Sequence, residues 1–216
     1  RGVTEGASDP QSMKKATSVV LALAAAVGCT MLLYGPWWLV IVGVLIMIFA
    51  LAYSAGPYPL SHHGLGDLAV VIFFGIIPVT FTCFLQSGNM EGMTIIIPTS
   101  VAVGLLAANV LIVNNYRDME DDAAVGKRTT VVIFGRRFMG LAYLLSGIAG
   151  MALMIPVWAS LTSWALTVPL IYIILHIKVW LKLREATGAG LNPLLGRTAV
   201  NLLIFSVLFL CMSLSA

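Results

Sequence analysis

Seven stretches of this chain stay apolar for about the 20 residues that an α-helix needs to cross a hydrocarbon core. They cover roughly 16–34, 37–55, 68–85, 93–114, 138–158, 162–181 and 198–215. Few folds accept that pattern. With 60% of the 216 residues hydrophobic and 10% charged, a water-soluble domain would lack the polar side chains to cover its surface, so lipid must be the solvent. The expected fold class is all-α, a polytopic transmembrane helical bundle of about seven helices forming one domain over 1–216. Neither an internal repeat nor a low-complexity tract interrupts it.

Charge tests this layout independently of hydropathy. The linkers at 35–36, 86–92 and 159–161 are short and hold Glu91 as their one charge, whereas 1–15, 56–67, 115–137 and 182–197 are longer and polar. The two kinds alternate, as a serpentine chain requires. All 12 Lys and Arg, from Arg1, Lys14 and Lys15 to Arg197, fall in the longer linkers or at the helix ends beside them. By the positive-inside rule those linkers face the cytoplasm. Trp37, Trp38, Trp158 and Trp164 lie near the opposite ends, as interfacial anchors do. A net charge of +3 without a basic stripe argues against a nucleic-acid partner. Cys29, Cys83 and Cys211 lack the spacing of a disulfide framework or a zinc site. Arg1 is not an initiating residue, and the chain reads as a fragment lacking its N-terminal part.

One linker carries most of the chemistry. Asn114-Asn115-Tyr116-Arg117-Asp118-Met119-Glu120-Asp121-Asp122 leads into Gly126-Lys127-Arg128-Thr129-Thr130. Clustered carboxylates at the end of a membrane span repel one another unless a cation gathers them. If the preceding helix continues, Asn115, Asp118 and Asp122 fall at i, i+3 and i+7 on one face. Hard oxygen ligands so spaced suit Mg²⁺, which takes few protein ligands together with phosphate oxygens. Lys127 and Arg128 add a point charge and a guanidinium fork for the same phosphates. A solvated, topology-setting loop is the competing reading, but it requires no such order of amides, spaced acids and Gly-Lys-Arg-Thr. A second linker, from Tyr53 through Gly56-Pro57-Tyr58-Pro59 and His62-His63 to Gly64-Leu65-Gly66-Asp67, breaks the helix at the surface and brings titratable and cation-stabilising groups. His176, inside a span, reads as a helix-packing or interfacial residue rather than a ligand.

Together these linkers resemble the UbiA superfamily of intramembrane prenyltransferases. Asn114-Asn115, Asp118, Asp122 and Gly126-Lys127-Arg128-Thr129 are similar to its second aspartate-rich motif. The Tyr53–Asp67 stretch, Phe73-Phe74-Gly75 and 192–201 resemble the branch acting on 1,4-dihydroxy-2-naphthoate in menaquinone biosynthesis. The resemblance implies nine helices around a cavity and a first motif, Asn-Asp-x-x-x-Asp, which this sequence does not contain; the expectation is that two helices are missing from its start. It further implies an Mg²⁺-dependent transfer of an isoprenoid from a polyprenyl diphosphate to an aromatic acid. On that basis Asp118, Asp122, Lys127, Arg128 and Tyr53 are the expected catalytic residues. Asp118, Asp121 and Asp122 are the metal ligands, and Asn115, Arg117, Lys127, Arg128, Tyr58 and His63 contact substrate. Tyr53 would face the allylic cation. The implied location is a bacterial inner membrane with the motif linkers cytoplasmic. The alternatives are a related enzyme for 4-hydroxybenzoate or homogentisate, a phosphatidyltransferase using CDP-activated lipid, and a transporter. Against the second, no Asp-Gly or Ala-Arg precedes Asp118 at suitable spacing. Against the third, the acids sit at one surface rather than at mid-membrane.

Overall fold

The computed structural model describes residues 9–161 and 163–215, and among those residues the elements are helices joined by turns, with no strand. Arg1, one of the orienting cations, and Thr162, in the sixth expected span, lie outside them. The helices are α1 (Pro10–Cys29), α2 (Leu39–Ser54), α3 (Gly66–Val71), α4 (Ile77–Ser87), α5 (Met93–Arg117), α6 (Met119–Ala124), α7 (Thr130–Leu153), α8 (Ile155–Ser160), α9 (Thr167–Leu183) and α10 (Asn192–Ser215). Six of the seven expected spans are helical segments long and apolar enough to cross a membrane. The exception is α2, whose 16 residues reach only about 24 Å at 1.5 Å per residue. Gly35-Pro36 and Gly56-Pro57 bound it.

The described residues divide into two compact units, one up to Ala52 and one from Tyr53 onward. In the first, Asp9 caps α1 by accepting the Ser12 N–H at 3.0 Å, which satisfies one of the donors a helix start leaves bare. None of the residues of α1 is buried.

The second unit is organised on α5, which packs along α7 on one side and along α3 and the turn after it on another, and also touches α10. That turn, Ile72–Ile76, is a π-helical segment joining α3 to α4, the kind of single-turn widening that redirects a helix. It lets Gly75 sit against Gly104: a Cβ on Gly75 would come within 2.4 Å of the Gly104 Cα. Backbones approach this closely in a membrane only through small residues, since lipid tails supply no hydrophobic force to draw helices together. Helices α5, α7, α9 and α10 close a bundle around Ala102, Leu106, Met151, Tyr172 and Phe205 towards one end, and Val113, Tyr143, Val179 and Leu194 towards the other.

A neutral polar belt crosses this bundle. Ser146 donates to Asn109 Oδ1 at 2.7 Å. The Nε2 of His176, 2.9 Å from the Tyr143 carbonyl, must carry a proton to bond it. Thr198 donates to the Leu194 carbonyl at 2.9 Å, so the Tyr143 hydroxyl is the donor in its 3.2 Å bond to Thr198. His176 is fully buried and stacked on Tyr143 at 4.3 Å. The helix-packing role expected for it is the one it has.

Candidate functional site

The acidic linker leaves α5 by a bend rather than as a straight continuation. Asp118 takes a non-helical conformation between α5 and α6, yet helical bonding carries on across it, from the Asp118 N–H to Asn114 and from the Asp122 N–H to Asp118, at 3.0 and 2.8 Å. The one-face spacing of Asn115, Asp118 and Asp122 is therefore kept in its hydrogen bonds and broken in direction. Arg117 takes both oxygens of Asp118, at 2.7 and 2.9 Å, and also donates to Asn114 at 2.8 Å. Arg136 clamps the outer side, donating to both Glu120 oxygens at 2.6 and 2.7 Å and to the Tyr116 carbonyl at 3.0 Å. This guanidinium holds the Glu120 carboxyl below the usual carboxylate range and satisfies a carbonyl that the end of α5 would leave bare.

After α6 the chain turns at Gly126, whose φ of 73° lies where a side chain would strain the backbone. The turn brings the Lys127 N–H to the Asp122 carbonyl at 2.9 Å and the Lys127 ammonium to Asp122 Oδ1 at 3.1 Å. One residue on, the Arg128 N–H donates to the His62 carbonyl at 3.0 Å. A backbone bridge thus ties the two linkers singled out in the sequence. Thr129 then caps α7, and the Thr130 hydroxyl donates to Asp67 Oδ2 at 2.5 Å.

These ties enclose a cavity of about 230 Å³ lined by Tyr53, Ser61, Gly66, Asp67, Leu111, Asn114, Asn115, Lys127, Thr129 and Thr130. Of the expected site residues, Tyr53, Asn115 and Lys127 line it, and Asp122 is held beside it through Lys127. The others do not reach it. Tyr58 is exposed and stacks on His63 at 3.5 Å, and His63 bonds the Pro59 carbonyl at 2.9 Å. Arg128 and Asp121 are exposed, and Asp118 and Arg117 hold each other.

Asp67 is the site residue that the sequence reading passed over. A carboxylate in the first turn of a membrane span is expensive without a purpose, and that signal was legible. Its partner Thr130, 63 residues away, was not.

Whether these residues fit a divalent cation is tested by the oxygens left bare. Among the described residues, Asp122 Oδ2 and Asp67 Oδ1 are buried with no hydrogen-bond partner, although such atoms in a folded core are nearly always bonded. Both are hard donors in an amide-rich surrounding, the chemistry Mg²⁺ accepts when phosphate oxygens and water complete its shell. Among the described residues no three acids, histidines or cysteines converge as a self-sufficient metal site. The residues fit a cation that arrives with its phosphates better than one caged by protein alone.

The described residues of the second unit thus form a bundle of membrane-spanning helices with a cavity of amide, carboxylate and lysine groups at one end of its central helix. The sequence profile of the UbiA prenyltransferase family matches residues 7–191, and the chain belongs to that family. It is 30% identical over 219 residues to a 1,4-dihydroxy-2-naphthoate octaprenyltransferase of Escherichia coli, covering 97% of this chain and 70% of that protein. Proteins of the same description from Haemophilus influenzae and Mycobacterium tuberculosis are 37% identical over 124 residues and 30% over 200. Those matches cover 56% and 92% of this chain, and 39% and 67% of the relatives. The chain thus spans only part of the length of each. No solved structure matches it significantly.

Proposed function

We propose that this chain forms the diphosphate-handling part of a membrane enzyme that transfers a polyprenyl group to 1,4-dihydroxy-2-naphthoate, in the pathway to menaquinone. The observation that carries the reading is the cavity in which Tyr53, Asp67, Asn115 and Lys127 converge beside the bare oxygen of Asp122. The descriptions of the matched relatives support the substrate pair.

In this reading the allylic C–O bond of the polyprenyl diphosphate breaks, and the electron pair leaves with the diphosphate. Lys127, held towards the cavity by Asp122, neutralises charge as it develops on the leaving oxygens, where a preorganised cation acts most strongly. Asn115 hydrogen-bonds to the diphosphate, and Tyr53 offers a ring face to the allylic carbon. Asp122 and Asp118, with Asp121 as a helper, would hold Mg²⁺, which would supply further neutralisation of the diphosphate. The acceptor ring carbon bonds to the allylic carbon and loses its carboxyl group as carbon dioxide. Asp67, fixed by Thr130, belongs to the same wall. The first aspartate-rich motif has no counterpart in this sequence. On this reading its carboxylates lie outside these 216 residues, and the chain alone is inactive.

The test is to supply the enzyme carrying this chain with a polyprenyl diphosphate and, in turn, 1,4-dihydroxy-2-naphthoate, 4-hydroxybenzoate and homogentisate. Prenylated product and carbon dioxide are expected from the first. Preference for 4-hydroxybenzoate would overturn the acceptor and leave the family intact. The orientation is checked by single cysteines at Lys182 and Glu91, which are expected to label from opposite faces, Lys182 from the cytoplasm.

A further inference from the structure

A second cavity lies at the start of α7 and the end of α9, and none of its lining residues has a role in the transfer reaction proposed above. It measures about 660 Å³ and is lined chiefly by Tyr116, Arg136, Arg137, Leu141, Trp180 and Arg184. Its charge is one-sided. Arg136 is bound to Glu120, but among the described residues neither Arg137 nor Arg184 is in an ion pair. Both are exposed, and the Arg184 guanidinium lies over the Trp180 ring at 5.0 Å. The Trp180 indole N–H is buried and, among the described residues, has no acceptor. Indole N–H groups are normally bonded when buried.

What occupies such a groove is decided by what runs away from it. Leu141 lines the groove, and Leu145 and Ile148 continue from it at i+4 and i+7, on one face of α7, all three exposed. On α9, Ile177 and Ile173 continue from Trp180 at i−3 and i−7 on one face. A cationic rim with an unmet donor, leading into an apolar stripe along two membrane helices, matches an amphiphile with an anionic head. A free inorganic anion would use the rim and leave the stripe without purpose. Basic pockets between membrane helices are where acidic headgroups bind, and guanidinium forks match phosphate oxygens in pairs.

We propose that the groove between α7 and α9 is a binding site for an anionic phospholipid, with Arg137, Arg184 and the Trp180 N–H on its phosphate and the acyl chains along Leu141, Leu145 and Ile148. The site is separate from the Asp67–Lys127 cavity and does not depend on the prenyl-transfer reading.

The probes are phosphatidylglycerol, phosphatidylcholine and inorganic diphosphate, each titrated into the purified chain in detergent, with native mass spectrometry and melting temperature as readouts. Phosphatidylglycerol is expected to be retained and to raise the melting temperature, and the other two are not. Arg137→Gln with Arg184→Gln is expected to weaken phosphatidylglycerol retention about thirtyfold, from roughly fivefold per arginine. Trp180→Phe keeps the ring and removes the donor, and is expected to weaken it severalfold; it stands as the test if the double variant does not fold. Lys14→Gln with Lys15→Gln removes as much charge elsewhere and is expected to change nothing. Retention unchanged in the arginine pair or, where that pair does not fold, in Trp180→Phe overturns the site. So do equal retention of phosphatidylcholine, and a loss in the lysine pair as large as in the arginine pair. Stabilisation by diphosphate equal to that by phosphatidylglycerol would replace the lipid with a soluble anion.

Discussion

Two polar clusters lie in the same unit, and they use their groups in opposite ways. The belt of Asn109, Ser146, Tyr143, His176 and Thr198 is neutral and lies inside the bundle, with Ser146 half-buried and the rest buried. Each of those side chains has a hydrogen-bonding partner, and among their polar atoms Asn109 Nδ2 is left bare. The cluster around Lys127 is charged, lines a cavity, and leaves oxygens of Asp67 and Asp122 bare. In lipid an unmet polar group is costly wherever it lies. The belt meets most of that cost with internal bonds, so it holds helices together. The other cluster leaves it partly unmet, and a ligand is what would meet it. The difference lies in what is left bare: one neutral amide N–H₂ in the belt, and carboxylate oxygens beside a lysine in the cavity.

Exchanging damage between the two clusters tests this directly. The largest effect is expected from Asp122→Asn in the enzyme carrying this chain. Changes one shell away from a metal typically cost 10–100-fold, so if Asp122 is the direct ligand proposed, its loss should cost about 100-fold or more in turnover, with partial rescue by excess Mg²⁺ and little change in melting temperature. Asp118→Asn should also abolish turnover, but with less rescue, because its carboxylate is shared with Arg117. Asp9→Asn, which preserves the cap on α1, should be silent. Near-normal rates for Asp122→Asn at limiting Mg²⁺ would return this linker to a solvated loop.

The structural side should behave the other way round. A Cβ on Gly147 would meet the His176 ring at 2.2 Å and one on Gly75 the Gly104 backbone. Gly147→Ala and Gly75→Ala are therefore expected to destabilise by about 1–3 kcal/mol, as overpacking does, with a fall in melting temperature at every Mg²⁺ concentration. A smaller loss, about 1 kcal/mol, is expected from His176→Phe, which keeps the stack and strips the donor from the Tyr143 carbonyl. A Gly147→Ala protein with a normal melting temperature would show the belt to be looser than drawn.

Glu120→Gln should have the smallest effect, since exposed pairs contribute little. Its carboxyl pKa is lowered in the folded state by Arg136. The pair's stabilisation is therefore present above the ordinary carboxylate value and disappears as pH falls through the lowered one. Melting curves of Glu120→Gln and the parent should converge on that acid side and in high salt. A gap that persists in acid would assign the effect to packing.

Six of the seven expected spans and the motif that identifies the family were legible in the sequence, because each rests on spacing along the chain. Apolar length decides where a helix can cross, and Asp118, Asp122 and Lys127 stand at fixed intervals whatever the fold does. The shortness of α2 and the bend at Asp118 were less visible, since helix ends depend on local bonding. What only tertiary structure decided is which groups meet. Asp67 meets Thr130 because α3 and α7 both flank α5, and Lys127 lines the same cavity as Tyr53 because the Arg128 backbone bonds that of His62. Tyr58, His63 and Arg128 carry suitable chemistry and yet point elsewhere. Sequence lists the groups able to stabilise a leaving diphosphate, but a cavity requires them to converge. Convergence is set by the crossing of helices far apart in the chain, for which no interval in the sequence stands as a measure.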